Sequence, residues 1–104
     1  MASRVVPLIV IASPAGYLAD QVAARLRRDG AVVYATHSQG GCLRVATSIA
    51  PDMVLLDPAL PKRLEQLLRA HPATANARIV HLSQGFLSDL SHAAHATQVA
   101  LAAA

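Results

Sequence analysis

Few residues of this 104-residue chain can do chemistry: six acids, five histidines, one cysteine and one lysine. The most informative is Asp57, which closes the apolar run Met53-Val54-Leu55-Leu56. A carboxylate that ends a buried strand can attack a phosphoryl donor, ligate a metal or cap the next helix. Spacing alone favours the cap, because aspartate prefers such positions for structural reasons. Ser83, which follows Arg78-Ile79-Val80-His81-Leu82, reads by itself in the same way.

The other reactive side chains fit bland roles better than catalytic ones. His92 and His95, three apart on a predicted helix, could share an ion. Zinc would need two more ligands from His37, Cys42, His71 or His81 in distant segments, so a solvated helix face is preferred and no metal site is expected. Cys42 has no evident base or cation beside it and reads as a small apolar packing group. Gly40-Gly41 matches neither the P-loop nor the dinucleotide fingerprint and reads as a tight turn. Arg25, Arg27 and Arg28 form the single basic cluster. They could meet nucleic acid or an acidic protein face, against the ordinary reading of a solvated helix surface. Lys62 reads as a solvated helix-start residue.

The elements that would carry these residues alternate. Val5 to Ala12 is a continuous β-branched run stopped by Ser13-Pro14, the pattern of a strand covered on both faces. Ala15 to Asp29 repeats Leu18, Val22 and Leu26 at helical spacing, with Gly30 as stop. Ala31 to Thr36 is a second strand, His37 to Gly41 a loop, and Cys42 to Ala50 a short helix burying Leu43, Ala46 and Ile49 before Pro51. Met53 to Asp57 is a third strand. Leu60 to Ala70 is a helix with Pro61 near its start, and Arg78 to Leu82 a fourth strand. Phe86 to Ala104 has helical periodicity and an alanine-rich end, and no fifth strand follows. Strands alternating with helices at short spacing predict parallel pairing through right-handed crossovers, hence a doubly wound α/β sheet.

Composition agrees. With 54% hydrophobic and 14% charged residues the chain is not disordered, and 104 residues suffice for one domain, residues 1–104. Aromatics are only 3%, so Val, Leu, Ile and Ala must fill the core. The longest apolar run is far short of the ~20 residues of a membrane span and lacks the flanks of a signal peptide. The lone cysteine suits a reducing compartment, and a cytoplasmic protein is expected. The net charge of +3 is spread along the chain and allows contact with anionic partners without demanding it.

Two segments together resemble a known family. Pro51-Asp52-Met53-Val54-Leu55-Leu56-Asp57-Pro58-Ala59-Leu60-Pro61 looks like the third strand of response-regulator receivers, in which an apolar strand ends in the phosphorylated aspartate and a proline follows four residues later. His71-Pro72-Ala73-Thr74 with Ile79-Val80-His81-Leu82-Ser83 resembles the receiver segment that closes strand 4 with the switch hydroxyl. The resemblance covers residues 5 to 83. It implies a flavodoxin-like fold with strand order 2-1-3-4-5, Asp57 at the phosphoacceptor position and Ser83 at the switch position.

The departures are as specific as the matches. Receivers carry two adjacent acids at the end of strand 1 that hold magnesium, whereas Ile11, Ala12 and Ser13 stand there in this chain. A hard divalent cation wants several oxygen ligands, so magnesium is not expected and no other cofactor is implied. The receiver's lysine at the end of strand 5 has no counterpart, because the chain stops at Ala102-Ala103-Ala104 where the turn into that strand would come. Either the chain is a piece of a longer protein or the receiver is shortened. The resulting expectation is an atypical, non-enzymatic receiver-like module of a two-component or phosphorelay system, with phosphorylation at Asp57 impaired or lost. It would work through a protein partner: a histidine kinase, a phosphotransfer protein or an attached effector domain. Arg25 and Arg28 on the first helix are the expected docking residues. A sheet without strand 5 would bare the edge of strand 4, which predicts a homodimer or docking to the rest of a larger protein. The alternatives are a small flavodoxin-like enzyme or cofactor carrier, disfavoured by the lack of a glycine-rich phosphate loop, and a nucleic-acid-binding module using Arg25, Arg27 and Arg28.

Overall fold

Ile9, Val10, Ile11 and Ala12 are wholly inaccessible to solvent, which a strand achieves only when both its faces and both its edges are covered. They belong to β1 (Leu8–Ala12) in the computed structural model, which describes residues 6–82. The order is β1, α1 (Gly16–Arg28), β2 (Val32–Thr36), α2 (Gln39–Ile49), β3 (Met53–Leu56), α3 (Arg63–Ala70) and β4 (Arg78–His81). The four strands of the described residues form one parallel sheet in the order β2-β1-β3-β4. This is the flavodoxin-like order expected from the sequence, without a fifth strand among the described residues.

Register sorts the side chains. Ile9 lies opposite both Val33 and Met53, and Ile11 opposite Ala35 and Leu55. Because successive residues of a strand face opposite ways, these side chains share one face. There they meet the stripe Ala19, Val22, Ala23 and Leu26 of α1. Val10, Ala12, Val54 and Leu56 turn to the other face and pack on Cys42 and Ala46 of α2 and Leu64 and Leu68 of α3.

The helix ends show why the chain turns where it does. Past α1, Gly30 has φ +99°, and the Gly30 and Ala31 amides donate to the Arg27 and Leu26 carbonyls, a Schellman closure that needs the left-handed residue. Ala50, after α2, is also left-handed at φ 50°. Pro51 follows it and disfavours the right-handed helical conformation for the residue before it.

The expectations for four elements need correction. Gly40-Gly41 do not form a tight turn in a loop; they lie in the first turn of α2, which starts at Gln39 and not at Cys42. Ser38 is its N-cap, accepting the Gly41 amide at 3.0 Å. A Cβ at Gly41 would stand 3.1 Å from that hydroxyl, so glycine gives the cap room. The third helix begins at Arg63 rather than Leu60, because the Leu60 amide is used by the Asp57 carbonyl in the turn that precedes it. Strand β1 begins at Leu8 rather than Val5, and β3 ends at Leu56, one residue before Asp57. The final helix expected over Phe86 to Ala104 lies outside the described residues.

Asp52 gathers the strand starts. Its amide donates to the Leu8 carbonyl at 2.8 Å, its carboxylate accepts the Leu8 amide at 2.8 Å, and its carbonyl accepts the Arg78 amide at 3.0 Å. Among the described residues no helix is long and apolar enough to cross a membrane. Replacing Asp52 by alanine strands the Leu8 amide and is expected to cost about 1–3 kcal/mol in urea unfolding, with Asp52→Asn recovering most of the loss through its remaining acceptor.

Candidate functional site

The site follows from the pairing of β1 with β3. Ala12 lies opposite Leu56, so the next residues, Ser13 and Asp57, leave the sheet side by side. Each is held by its backbone: the Ser13 amide donates to the Thr36 carbonyl at 3.0 Å, and the Asp57 amide to the Ala12 carbonyl at 2.9 Å. The Thr36 hydroxyl in turn donates to the Ile11 carbonyl at 2.8 Å, tying β2 to β1 just below.

Both carboxylate oxygens of Asp57 are engaged. Ser13, itself wholly buried, donates its hydroxyl to Oδ2 at 2.6 Å, and the Ala59 amide donates to Oδ1 at 2.8 Å. The Ser13 oxygen also accepts the Ala15 amide at 3.2 Å. Asp57 thus caps the turn that precedes α3, while Ser13 bridges that turn to the start of α1. Of the three side chains at the end of β1, Ile11 points into one core and Ala12 into the other, and that of Ser13 meets the Asp57 carboxylate.

A cleft of about 130 Å³ opens beside Asp57, lined among others by Leu60, Lys62, Glu65 and His81. Ligand pockets usually hold ~300–1,000 Å³, so the cleft is small for a nucleotide or flavin. On its wall Glu65 pairs with His81 Nε2 at 2.8 Å and with Arg69 Nε at 3.2 Å. The Glu65 and Arg69 spacing of four residues signals one of these contacts in the sequence. The contact with His81 depends on how β4 sits against α3 and has no local signal.

The family whose third strand resembles this one holds magnesium here, and the donor set does not suit it. A hard cation prefers six or more oxygens, with carboxylates prominent. Asp57 is joined by a hydroxyl whose proton is already directed at it, and Glu65 is committed to His81 and Arg69. No step of phosphoryl transfer is derived through a metal at this position.

The remaining candidates are dispersed. His37 faces Asp20 at 3.5 Å, His71 Nδ1 accepts the Ala73 amide at 3.1 Å, and His81 meets Glu65. Among the described residues no three His, Cys, Asp or Glu side chains gather where they could hold a metal. Ser83, His92 and His95 lie outside the described residues. Because α1 runs back against the strand direction, Arg25 and Arg28 in its last turn lie at the far end of the sheet from Asp57. Arg28 is exposed and Arg25 partly buried, while Arg27 donates to the Val33 carbonyl at 2.6 Å.

Four parallel strands in this order form a flavodoxin-like sheet, and Asp57 stands just past the C-terminal end of β3. The chain is receiver-like by fold. It is similar to the crystal structure of the N-terminal domain of a response regulator receiver protein from Methanoculleus marisnigri JR1, with a TM-score of 0.68 and 22% sequence identity. The match covers 74% of this chain and 66% of that one, just under two thirds of its length. No family model matches the chain, and no curated protein does.

Cys42 lies against the same strand ends but is chemically quiet. Burial raises its thiol from 9.0 to about 11, despite a hydrogen bond with Thr36 that acts the other way. A thiol whose pKa rises on folding stabilises the fold below the unfolded value, and that stability falls as pH climbs through the folded one. The urea midpoint is therefore expected to fall from pH 9.0 to about 11 by more in the native sequence than in Cys42→Ala, and equal slopes would rule this out.

Proposed function

We propose that this chain is a signalling module that acts by contact with another protein, and that magnesium-dependent phosphorylation at Asp57 is impaired or lost. The partner is a histidine kinase, a phosphotransfer protein or an effector domain attached to the same polypeptide, and the module works in the cytoplasm. The observation that carries this reading is the occupation of both Asp57 oxygens by Ser13 and Ala59. Each oxygen keeps a further lone pair, but the Ser13 hydroxyl on Oδ2 and the Ala59 amide on Oδ1 draw electron density from the carboxylate and narrow the directions from which a donor can approach. The charge gathering on the transferring group would meet no cation ligated by neighbouring acids, and electrostatic stabilisation is the main source of rate in such transfers. What persists is the receiver surface, with Arg28 exposed on α1 as a docking residue, Arg25 beside it, and Ser83 as the switch hydroxyl by resemblance.

Incubation with a small phosphodonor and magnesium, followed by intact mass measurement, is expected to show no stable stoichiometric adduct. Full modification that disappears in Asp57→Asn would overturn the impaired-phosphorylation reading and leave an active receiver in its place.

Self-association through β4 belongs to the same proposal. In the described sheet Arg78–His81 is an end strand, with Ile79 and Val80 only partly buried. Such a strand offers backbone groups to a second copy or to the remainder of a larger protein. Light scattering at high micromolar concentration is expected to give a dimer mass, and a monomer mass throughout would remove the homodimer.

A further inference from the structure

The opposite end of the sheet shows a different arrangement. In the described sheet β2 has β1 on one side and no strand on the other. The Val32 amide donates to the Pro7 carbonyl, and the Thr36 carbonyl accepts the Ser13 amide. Along a strand, the amide and carbonyl of one residue point the same way and successive residues alternate. Residues 32, 34 and 36 therefore turn their backbone groups to β1, and Val33 and Ala35 turn theirs outward. The segment Ala31-Val32-Val33-Tyr34-Ala35-Thr36 carries no charge and no proline and is rich in β-formers, the composition most prone to strand-to-strand association. Val32 is 46% and Tyr34 43% exposed. Every feature of a self-pairing edge is present.

One side chain interrupts it. Arg27 stands one residue past Leu26, the last buried position of the α1 stripe, so its side chain emerges beside the sheet rather than over it. Its Nη2 donates to the outward Val33 carbonyl at 2.6 Å. A guanidinium on that carbonyl occupies one of the two outward acceptors of the edge, and it sets a cation where an incoming strand would lie.

We propose that Arg27 is an edge guard: its hydrogen bond to the Val33 carbonyl keeps β2 from pairing with the β2 strand of a second copy of this chain. A second copy is the occupant argued for because the strand is uncharged and self-complementary, so two copies related by a two-fold axis could pair it antiparallel without burying a charge. The basic cluster is then divided in role. Arg27 serves the edge, and Arg28, one residue on, is also exposed to solvent.

The test compares Arg27→Met, Arg28→Met and the native chain by sedimentation velocity and light scattering over the same concentration series. Methionine keeps an unbranched stem while removing the donors, and both variants lose one charge and gain one thioether. Arg27→Met is expected to raise the weight-average mass by about twofold or more over the native chain at equal concentration, whereas Arg28→Met follows the native chain. Adding Val33→Pro, at an amide directed outward from the ladder, is expected to return Arg27→Met to native behaviour. If Arg27→Met matches the native mass, or if Arg28→Met rises equally, the guard is refuted. Should Arg27→Met lose its folded circular dichroism, Arg27→Lys decides: it keeps a donor and the charge, and a native mass profile supports the guard while a twofold rise refutes it. A β4-mediated dimer would be common to all variants and cancel in the comparison.

Discussion

The parallel pairing of β1 with β2 on one side and β3 on the other is the constraint from which the rest follows. It makes the Ile9-to-Ala12 backbone the axis of the molecule, with each successive side chain assigned to α1 or to the α2 and α3 layer. A shift of one residue between β1 and β3 would exchange the two faces and place Leu55 where Leu56 now packs. The same register sets Ser13 next to Asp57. The most consequential polar contact of the molecule is thus a product of strand pairing and not of any local motif.

The two ends of the sheet divide the work. At the C-terminal ends, Ser13, Asp57, Thr36 and Cys42 are drawn together and largely withdrawn from water, a setting in which polar groups must satisfy one another. At the N-terminal ends, Asp52 knits β1, β3 and β4, while Arg27 crosses to β2 from the last turn of α1. The likeness to a receiver fold therefore rests on a framework whose stabilising contacts lie apart from the position where receivers are modified.

How far the sequence could be read depended on the range of the interaction. The strands announced themselves because Ile9 to Ala12 and Met53 to Leu56 are buried on both faces and so are uniformly apolar. The end of α1 was plain from Gly30, because a left-handed closure selects glycine strongly. Gly40-Gly41 misled: glycine signals a turn by composition, yet a serine three residues before Gly41 could cap a helix that begins with both. In sequence Ser13 reads as the stop of the first strand and as a position without the receiver's acid. Its positive role needs the register between strands 44 residues apart, and residue type alone contains no such distance. The Arg27 bond to Val33 was hidden likewise, inside a cluster whose three arginines look equivalent along the chain.

The Ser13 and Asp57 contact also bears on which side chains this position tolerates. An acid in place of Ser13 would bring a second carboxylate close to that of Asp57, with no set of cation ligands complete around them. Such a substitution would be penalised by charge repulsion unless one of the two carboxyl groups held a proton. The serine is the side chain that lets a partly buried carboxylate be satisfied here without a cation, because it supplies a proton where a second acid would supply a charge.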